Sequence, residues 1–86
     1  MKAIERVSFW LGQLKLSSKL SLEEIHAKTG VSTSTLSRTL TLTNEISIES
    51  LDRVAIGFNL SICDFFEPLE ESKIEAFRNK VKRAQE

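Results

Sequence analysis

The sequence predicts an all-α fold in which five short helices are followed by a C-terminal helix. Apolar residues recur three and four positions apart along most of the chain, which is the spacing of one face of an α-helix. Serine residues, whose side chains cap helix N-termini, stand just before several of these stretches. At 86 residues, the chain has the length of a single domain with a modest core.

The first predicted helix covers residues 3 to 16. Four apolar side chains share one face of it: Ile4, Val7, Leu11 and Leu14. This face can cover the helices that follow. Three further apolar side chains lie outside it: Phe9, Trp10 and Leu16. They either widen the face that packs in the core or present an apolar patch to a partner.

Two short helices are predicted to meet at Gly30. Ser21 and Glu24 have the capping-box spacing, in which each side chain bonds an unpaired amide at a helix start. Gly30 ends this helix, because glycine adopts left-handed backbone without steric cost. Ser32 caps a second helix that runs through about Leu40. The chain therefore makes a tight corner.

The second of these helices has an apolar inner face and a short polar outer face. Leu36 and Leu40 lie one turn apart and face inward. Four polar residues of the helix point away from this inner face: Thr33, Ser34, Ser37 and Arg38. Small hydroxyl side chains let a helix approach a DNA groove and bond to phosphates or base edges. The alternative is that serine and threonine merely tolerate exposure to solvent.

Residues 21–66 resemble the Cro/repressor type of helix-turn-helix domain, the xenobiotic-response-element family, with its lambda-repressor-like fold. The resemblance rests on short segments in one ungapped register: Glu23-Glu24-Ile25, Lys28 to Ser32, Ser34 to Arg38, Ser47 to Leu51, and Asn59-Leu60-Ser61 before Phe65 and Phe66. It implies a transcriptional regulator that binds double-stranded DNA as a homodimer, with helix 32–40 in the major groove. Small phage repressors and restriction-modification controller proteins have a similar layout.

The resemblance also implies which residues contact DNA. Three would face bases: Thr33, Ser34 and Arg38. Four would approach phosphates: Ser32, Ser37, Thr43 and Asn44. Arg38 is the principal candidate, because a guanidinium can bond both acceptors on the edge of a guanine.

The chain departs from the family pattern at several positions. Leu22 replaces a glutamine that commonly contacts a phosphate, so one backbone contact is missing. His26 replaces an alanine at the close approach of the two helices, so its ring must either tilt the helices or swing to the rim. The connecting loop is the least family-like part, with Leu40, Leu42 and Ile46.

Two more helices are expected before Pro68. Ser47 caps a helix through about Phe58, and Ser61 with Asp64 caps a short helix. Pro68, the only proline, stands where a helix should stop. We therefore expect a helix-turn-helix domain in residues 1–68 and a helical tail in residues 69–86.

The tail carries apolar residues three, four and three positions apart: Ile74, Phe77, Val81 and Ala84. A helix of this length is marginal in water on its own, so its stripe needs a surface to pack on. Two surfaces are available. The tail either folds back on its own domain or uses Ile74, Phe77 and Val81 as a dimer contact.

The net charge of the whole chain argues against a nucleic-acid partner, but the distribution of charge along the chain does not. Twelve basic and twelve acidic residues cancel, whereas nucleic-acid-binding domains are commonly basic. Residues 1–20 nevertheless hold four basic residues and one acidic residue, and residues 46–69 hold one basic and four acidic. Four cations are expected to flank the groove: Lys2, Arg6, Lys15 and Lys19. Four acids are expected on the far side: Glu49, Asp52, Asp64 and Glu67.

Other functional classes have little support in the sequence. One histidine, one cysteine and no tyrosine leave few catalytic groups, so we expect neither an enzyme nor a metal or cofactor site. Cys63 is expected to be a small apolar residue under the last short helix. The sequence shows no signal peptide or membrane span, which favours a cytoplasmic protein. The alternative function is a protein-interaction module, antitoxin-like or an anti-repressor, that binds a protein partner through its apolar tail or through Phe9 and Trp10.

Overall fold

A computed structural model describes residues 1–85 and confirms the all-α fold. It contains five α-helices and one short 3₁₀ helix: α1 (Ala3–Ser18), α2 (Leu22–Thr29), α3 (Thr33–Leu40), α4 (Ile48–Gly57), the 3₁₀ helix (Ile62–Phe66) and α5 (Glu71–Ala84). The predicted order of elements is therefore correct. The short element before Pro68 is a 3₁₀ helix of five residues.

Serine side chains begin four of the six helical segments, as predicted. Each Oγ accepts a hydrogen bond from a backbone N–H two or three residues later, at 3.1 to 3.2 Å. These serines are Ser21, Ser32, Ser47 and Ser61. Such a cap stabilises a helix by about 1 kcal/mol, because it satisfies an amide that has no partner within the helix. The sequence signal for helix starts is therefore local and accurate.

The aromatic side chains of α1 behave differently from its last leucine. Trp10 is fully buried, and its indole Nε1 donates to the Glu67 carbonyl at 2.9 Å. Phe9 is half-buried and stacks edge-on against Trp10, with ring centroids 5.2 Å apart. Leu16 is 70% exposed. Phe9 and Trp10 thus widen the core face, whereas Leu16 is the residue that stays on the surface.

Helix α5 folds back on its own domain. Phe77 and Val81 are buried. The Phe77 ring lies 4.8 Å from Trp10 and 5.7 Å from Phe65, measured between ring centroids. The expectation that Ile74, Phe77 and Val81 form a dimer contact therefore needs correction, because Phe77 and Val81 are already covered within the chain. Ile74 is only half-buried.

Helices α2 and α4 meet at Gly57. A Cβ atom placed on Gly57 would lie 2.8 Å from Thr29 Cγ2, so only glycine allows this approach. His26, expected at a crowded position, is instead exposed, with Nδ1 2.9 Å from the Val31 carbonyl oxygen. The His26 ring therefore lies at the rim of the corner.

The loop between α3 and α4 contains an unusual backbone conformation. Leu42 has φ 60°, a left-handed backbone angle that residues other than glycine rarely adopt. Its side chain is 49% exposed. The Thr43 N–H donates to the Arg38 carbonyl at 2.9 Å and so caps the end of α3. The loop is therefore tied to the last turn of α3.

None of the helices within residues 1–85 is long and apolar enough to cross a membrane.

Candidate nucleic-acid interface

The corner between α2 and α3 is closed by hydrogen bonds between near neighbours. Gly30 has φ 78°, and its N–H donates to the His26 carbonyl at 2.8 Å. Thr29 Oγ1 donates to the Ile25 carbonyl at 2.8 Å and accepts from the Val31 N–H at 3.2 Å. Ile25 and Val31 are buried beneath the turn. The start of α3 is therefore fixed relative to α2.

The outward side chains of α3 line an open groove. Thr33, Ser34, Ser37 and Arg38 form one wall, as the sequence predicts for their faces. Ser21, Leu22 and Glu23 form the other wall at the start of α2. Sequence reasoning did not assign Glu23 to this site, because the angle between α2 and α3 decides which α2 side chains reach the groove.

Polar groups on the outward face of α3 are not used inside the protein. Within residues 1–85, the side chains of Thr33, Ser34, Ser37 and Arg38 make no hydrogen bond to protein atoms. No ion pair of the described chain involves Arg38. Hydroxyls with free donors and acceptors beside an unpaired guanidinium make a face that can bond to a polar ligand.

The inward hydroxyls of α3 have a different environment. Thr39 is buried and donates from Oγ1 to the Thr35 carbonyl at 2.8 Å. Leu36 is fully buried, and Leu40 packs against the core. Thr39 was missed as a core residue, although its position three residues after Leu36 places both on the same face.

The four expected phosphate contacts fall into two groups. Ser32 Oγ accepts from the Thr35 N–H at 3.2 Å and donates to Thr35 Oγ1 at 2.9 Å, so this hydroxyl is engaged as a helix cap. Thr43 Oγ1 lies 2.8 Å from Thr41 Oγ1. Within residues 1–85, the side chains of Ser37 and Asn44 have no hydrogen-bond partner and are exposed. Of the four residues, Ser37 and Asn44 therefore have the side chains most available to bind a phosphate.

The predicted cations are split between the two ends of α1. Lys15 and Lys19 line a surface depression with Ser21 and Glu24, beside the start of α2. Ser21 also lines the groove of α3, so the two surfaces adjoin. Lys2 and Arg6 belong to the opposite end of α1. Of these four predicted cations, Lys15 and Lys19 therefore adjoin the first turn of α2.

Acidic side chains beyond the 3₁₀ helix lie on the other side of α1. Ser8 Oγ donates to the Leu40 carbonyl of α3 at 3.1 Å, whereas Trp10 contacts Glu67 and α5. Residues two positions apart on a helix point in nearly opposite directions. Glu67 and its α5 neighbours therefore lie across α1 from α3, as expected for the far side.

One titratable group near the groove has an altered pKa. The Ser21 backbone N–H donates to Glu24 Oε1 at 3.0 Å, and the Ser21 side chain adds a second favourable interaction. These hydrogen bonds stabilise the ionised carboxylate and lower the pKa of Glu24 below its ordinary value of 4.5. The start of α2 thus carries a carboxylate that stays charged at neutral pH.

Comparison with known protein families, with curated proteins and with solved structures finds no match for this chain. The candidate site is therefore characterised by its own residues. Among residues 1–85, no group of three or more histidine, cysteine or acidic side chains is arranged to hold a metal ion. Cys63, expected beneath the last short helix, is exposed instead.

Proposed function

We propose that this chain is a sequence-specific transcriptional regulator that binds double-stranded DNA as a dimer and places α3 in the major groove. The observation that carries the proposal is the outward face of α3. Its hydroxyls and its arginine are unpaired within residues 1–85, and Ser34, Ser37 and Arg38 are exposed, while every polar side-chain atom buried in that part of the chain has a partner.

The size and chemistry of these side chains fit a DNA groove. Thr33, Ser34 and Ser37 are short, so a helix carrying them can approach base edges closely. Arg38 stands one turn further along α3 than Ser34, and its guanidinium suits the two acceptors of a guanine. Lys15 and Lys19 adjoin the groove and can neutralise phosphates. The surface therefore combines base-reading and backbone-binding groups.

The charge balance shapes the expected affinity. Because basic and acidic residues cancel, long-range attraction to DNA is weak and few counterions are released on binding. Glu23 in the groove wall also repels phosphates. A protein of this kind depends on specific contacts and on a second copy, and its binding should fall less steeply with salt than that of a basic domain.

A protein-interaction module is the second candidate, antitoxin-like or an anti-repressor. The observation that favours it lies on α4, where Ile48 is 73% exposed and Ile56 is 69% exposed. These positions are eight residues apart and therefore share one side of the helix. An apolar pair on an exposed helix side is a surface that a protein partner can cover.

A gel-shift series separates the two candidates. The probe is the duplex immediately upstream of the chain's own coding sequence, with a scrambled duplex of equal composition as control, each at a low and a higher salt concentration. The proposal expects retardation of the first probe at low salt, weakened by added salt and by Arg38→Ala. Absence of retardation at low salt favours the protein-binding candidate.

A further inference from the structure

One flank of α5 is neutralised by its own domain. Lys73 Nζ lies 3.3 Å from Glu67 Oε2, and Lys80 Nζ lies 3.1 Å from Asp64 Oδ1. Both acids come from the segment just before α5. The charges on this flank are therefore satisfied within the chain.

A row of four charged side chains runs along the opposite flank of α5. The row consists of Glu71, Glu75, Arg78 and Lys82. They are spaced four, three and four positions apart, which keeps them on one side of a helix. All four are exposed, and none takes part in an ion pair within residues 1–85. Arg78 alone is used inside the chain, donating from Nε to Gln13 Oε1 at 2.9 Å.

The row is complementary to itself when it is read in reverse. It begins with two acids and ends with two bases, and the spacing is the same from either end. Two α5 helices that lie antiparallel about a two-fold axis bring Glu71 opposite Lys82 of the second copy, and Glu75 opposite Arg78 of the second copy. Because a two-fold interface repeats each contact, four attractive pairs result.

Apolar surface accompanies the row. The half-buried Ile74 lies in a shallow depression with Glu71, Glu75 and Arg78. On α1, the half-buried Phe9 lies four residues before Gln13, and Gln13 is the residue bonded to Arg78. Apolar side chains flanked by complementary charges are typical of a protein interface.

We propose that this face of α5, with the half-buried Ile74, is a homodimer interface in which α5 packs antiparallel on α5 of a second copy. The inference rests on the proposed function, which needs a second recognition helix. Acids early and bases late in a helix also suit its dipole. The dipole does not explain why the four charges share one row, and charge complementarity of that row identifies the occupant as a second copy of this chain.

Charge-reversal variants test the interface without DNA. Glu71→Lys and Lys82→Glu each turn two of the four attractive pairs into repulsive ones. A mixture of the two variants restores attraction at every pair in the mixed dimer. Arg83→Glu is the matched control, because it makes the same charge change one position away and outside the row. Sedimentation velocity at low and high salt gives the mass, and far-UV circular dichroism shows that each variant is folded.

The expected result is a wild-type dimer that weakens with salt. Each single reversal weakens self-association roughly tenfold or more, the equimolar mixture recovers dimers, and Arg83→Glu behaves as wild type. A wild-type monomer at low salt, or a folded mixture that fails to recover dimers, overturns the interface. Monomers that still retard DNA would overturn the interface and the dimer but leave DNA binding through α3 standing, and dimers that do not bind DNA would overturn the proposed function alone.

Discussion

The corner between α2 and α3 and the seam between α1 and α5 are built from contacts of very different range. At the corner, His26 meets the Val31 carbonyl five residues away, and Thr29 bonds Ile25 four residues away. At the seam, Arg78 bonds Gln13 across 65 positions. The corner takes its shape from neighbouring residues, whereas the seam exists only in the folded domain. We therefore expect core substitutions to disrupt the seam strongly and turn or cap substitutions to change the corner mildly.

The largest effect is expected for Phe77→Ala. Phe77 is buried against Trp10 and Phe65, so its loss leaves a cavity in the seam and removes about 3–5 kcal/mol from the free energy of unfolding. Urea denaturation measures this loss. Asn79→Ala, an exposed change on the same helix, is the control. Equal unfolding midpoints for the two variants would mean that α5 does not belong to the core.

A smaller effect is expected for Gly30→Ala at the corner. Gly30 has φ 78°, and no heavy atom lies within 4 Å of an added Cβ, so the loss comes from backbone strain alone. We expect about 1–2 kcal/mol of destabilisation.

Gly12→Ala is the matched control for the corner. An added Cβ at Gly12 meets only Leu40 Cδ2 at 3.9 Å, and alanine favours a helix, so stability should rise by up to about 1 kcal/mol. Denaturation midpoints that move in the same direction for both variants would contradict the left-handed turn at Gly30.

The smallest effect is expected for the pH dependence of the α2 cap. Ser21 lowers the pKa of Glu24, so the folded state gains stability that is present above the ordinary value of 4.5 and is lost as the pH falls through the folded pKa. Glu24→Gln should therefore be less stable than wild type near pH 7, and the difference should shrink as the pH falls below 4.5 and through the lowered pKa of Glu24.

Thermal unfolding near pH 7 and at a series of pH values below 4.5 checks this cap. Glu23→Gln is the control, because Glu23 makes no hydrogen bond to Ser21 within residues 1–85. A gap between wild type and Glu24→Gln that persists at acid pH would show that the capping box does not depend on the charge.

The same contrast explains how much the sequence predicted. Ser21, Ser32 and Gly30 act on residues a few positions away, so their spacing was enough to predict the bounds of α2 and α3. The tail pattern predicted a helix that needs a surface, but not that Trp10 and Phe65 supply it. Whether an apolar side chain on α1 is buried depends on where the neighbouring helices end. The spacing of residues along α1 carries no information about those ends.

The candidate site shows the same division. The outward position of Thr33, Ser34 and Arg38 followed from the inward position of Leu36, since both are set by one helix. The second wall of the groove, with Glu23, depends on the angle between α2 and α3. The sequence predicts that Ser32 caps α3. Only the hydrogen bonds of the folded chain show that its hydroxyl is already bonded to Thr35 and is therefore less free to bind a phosphate.

The affinity of Arg38→Ala for the upstream duplex at fixed salt tests the central claim most directly, because Arg38 is the one cation on the outward face of α3. We expect a loss of about 1–3 kcal/mol, or roughly 5–150-fold. Arg53→Ala is the matched control, since Arg53 is exposed and pairs with Glu49 on α4, and it should bind within about twofold of wild type. Equal binding by Arg38→Ala and wild type would contradict the assignment of α3 as the DNA-reading helix.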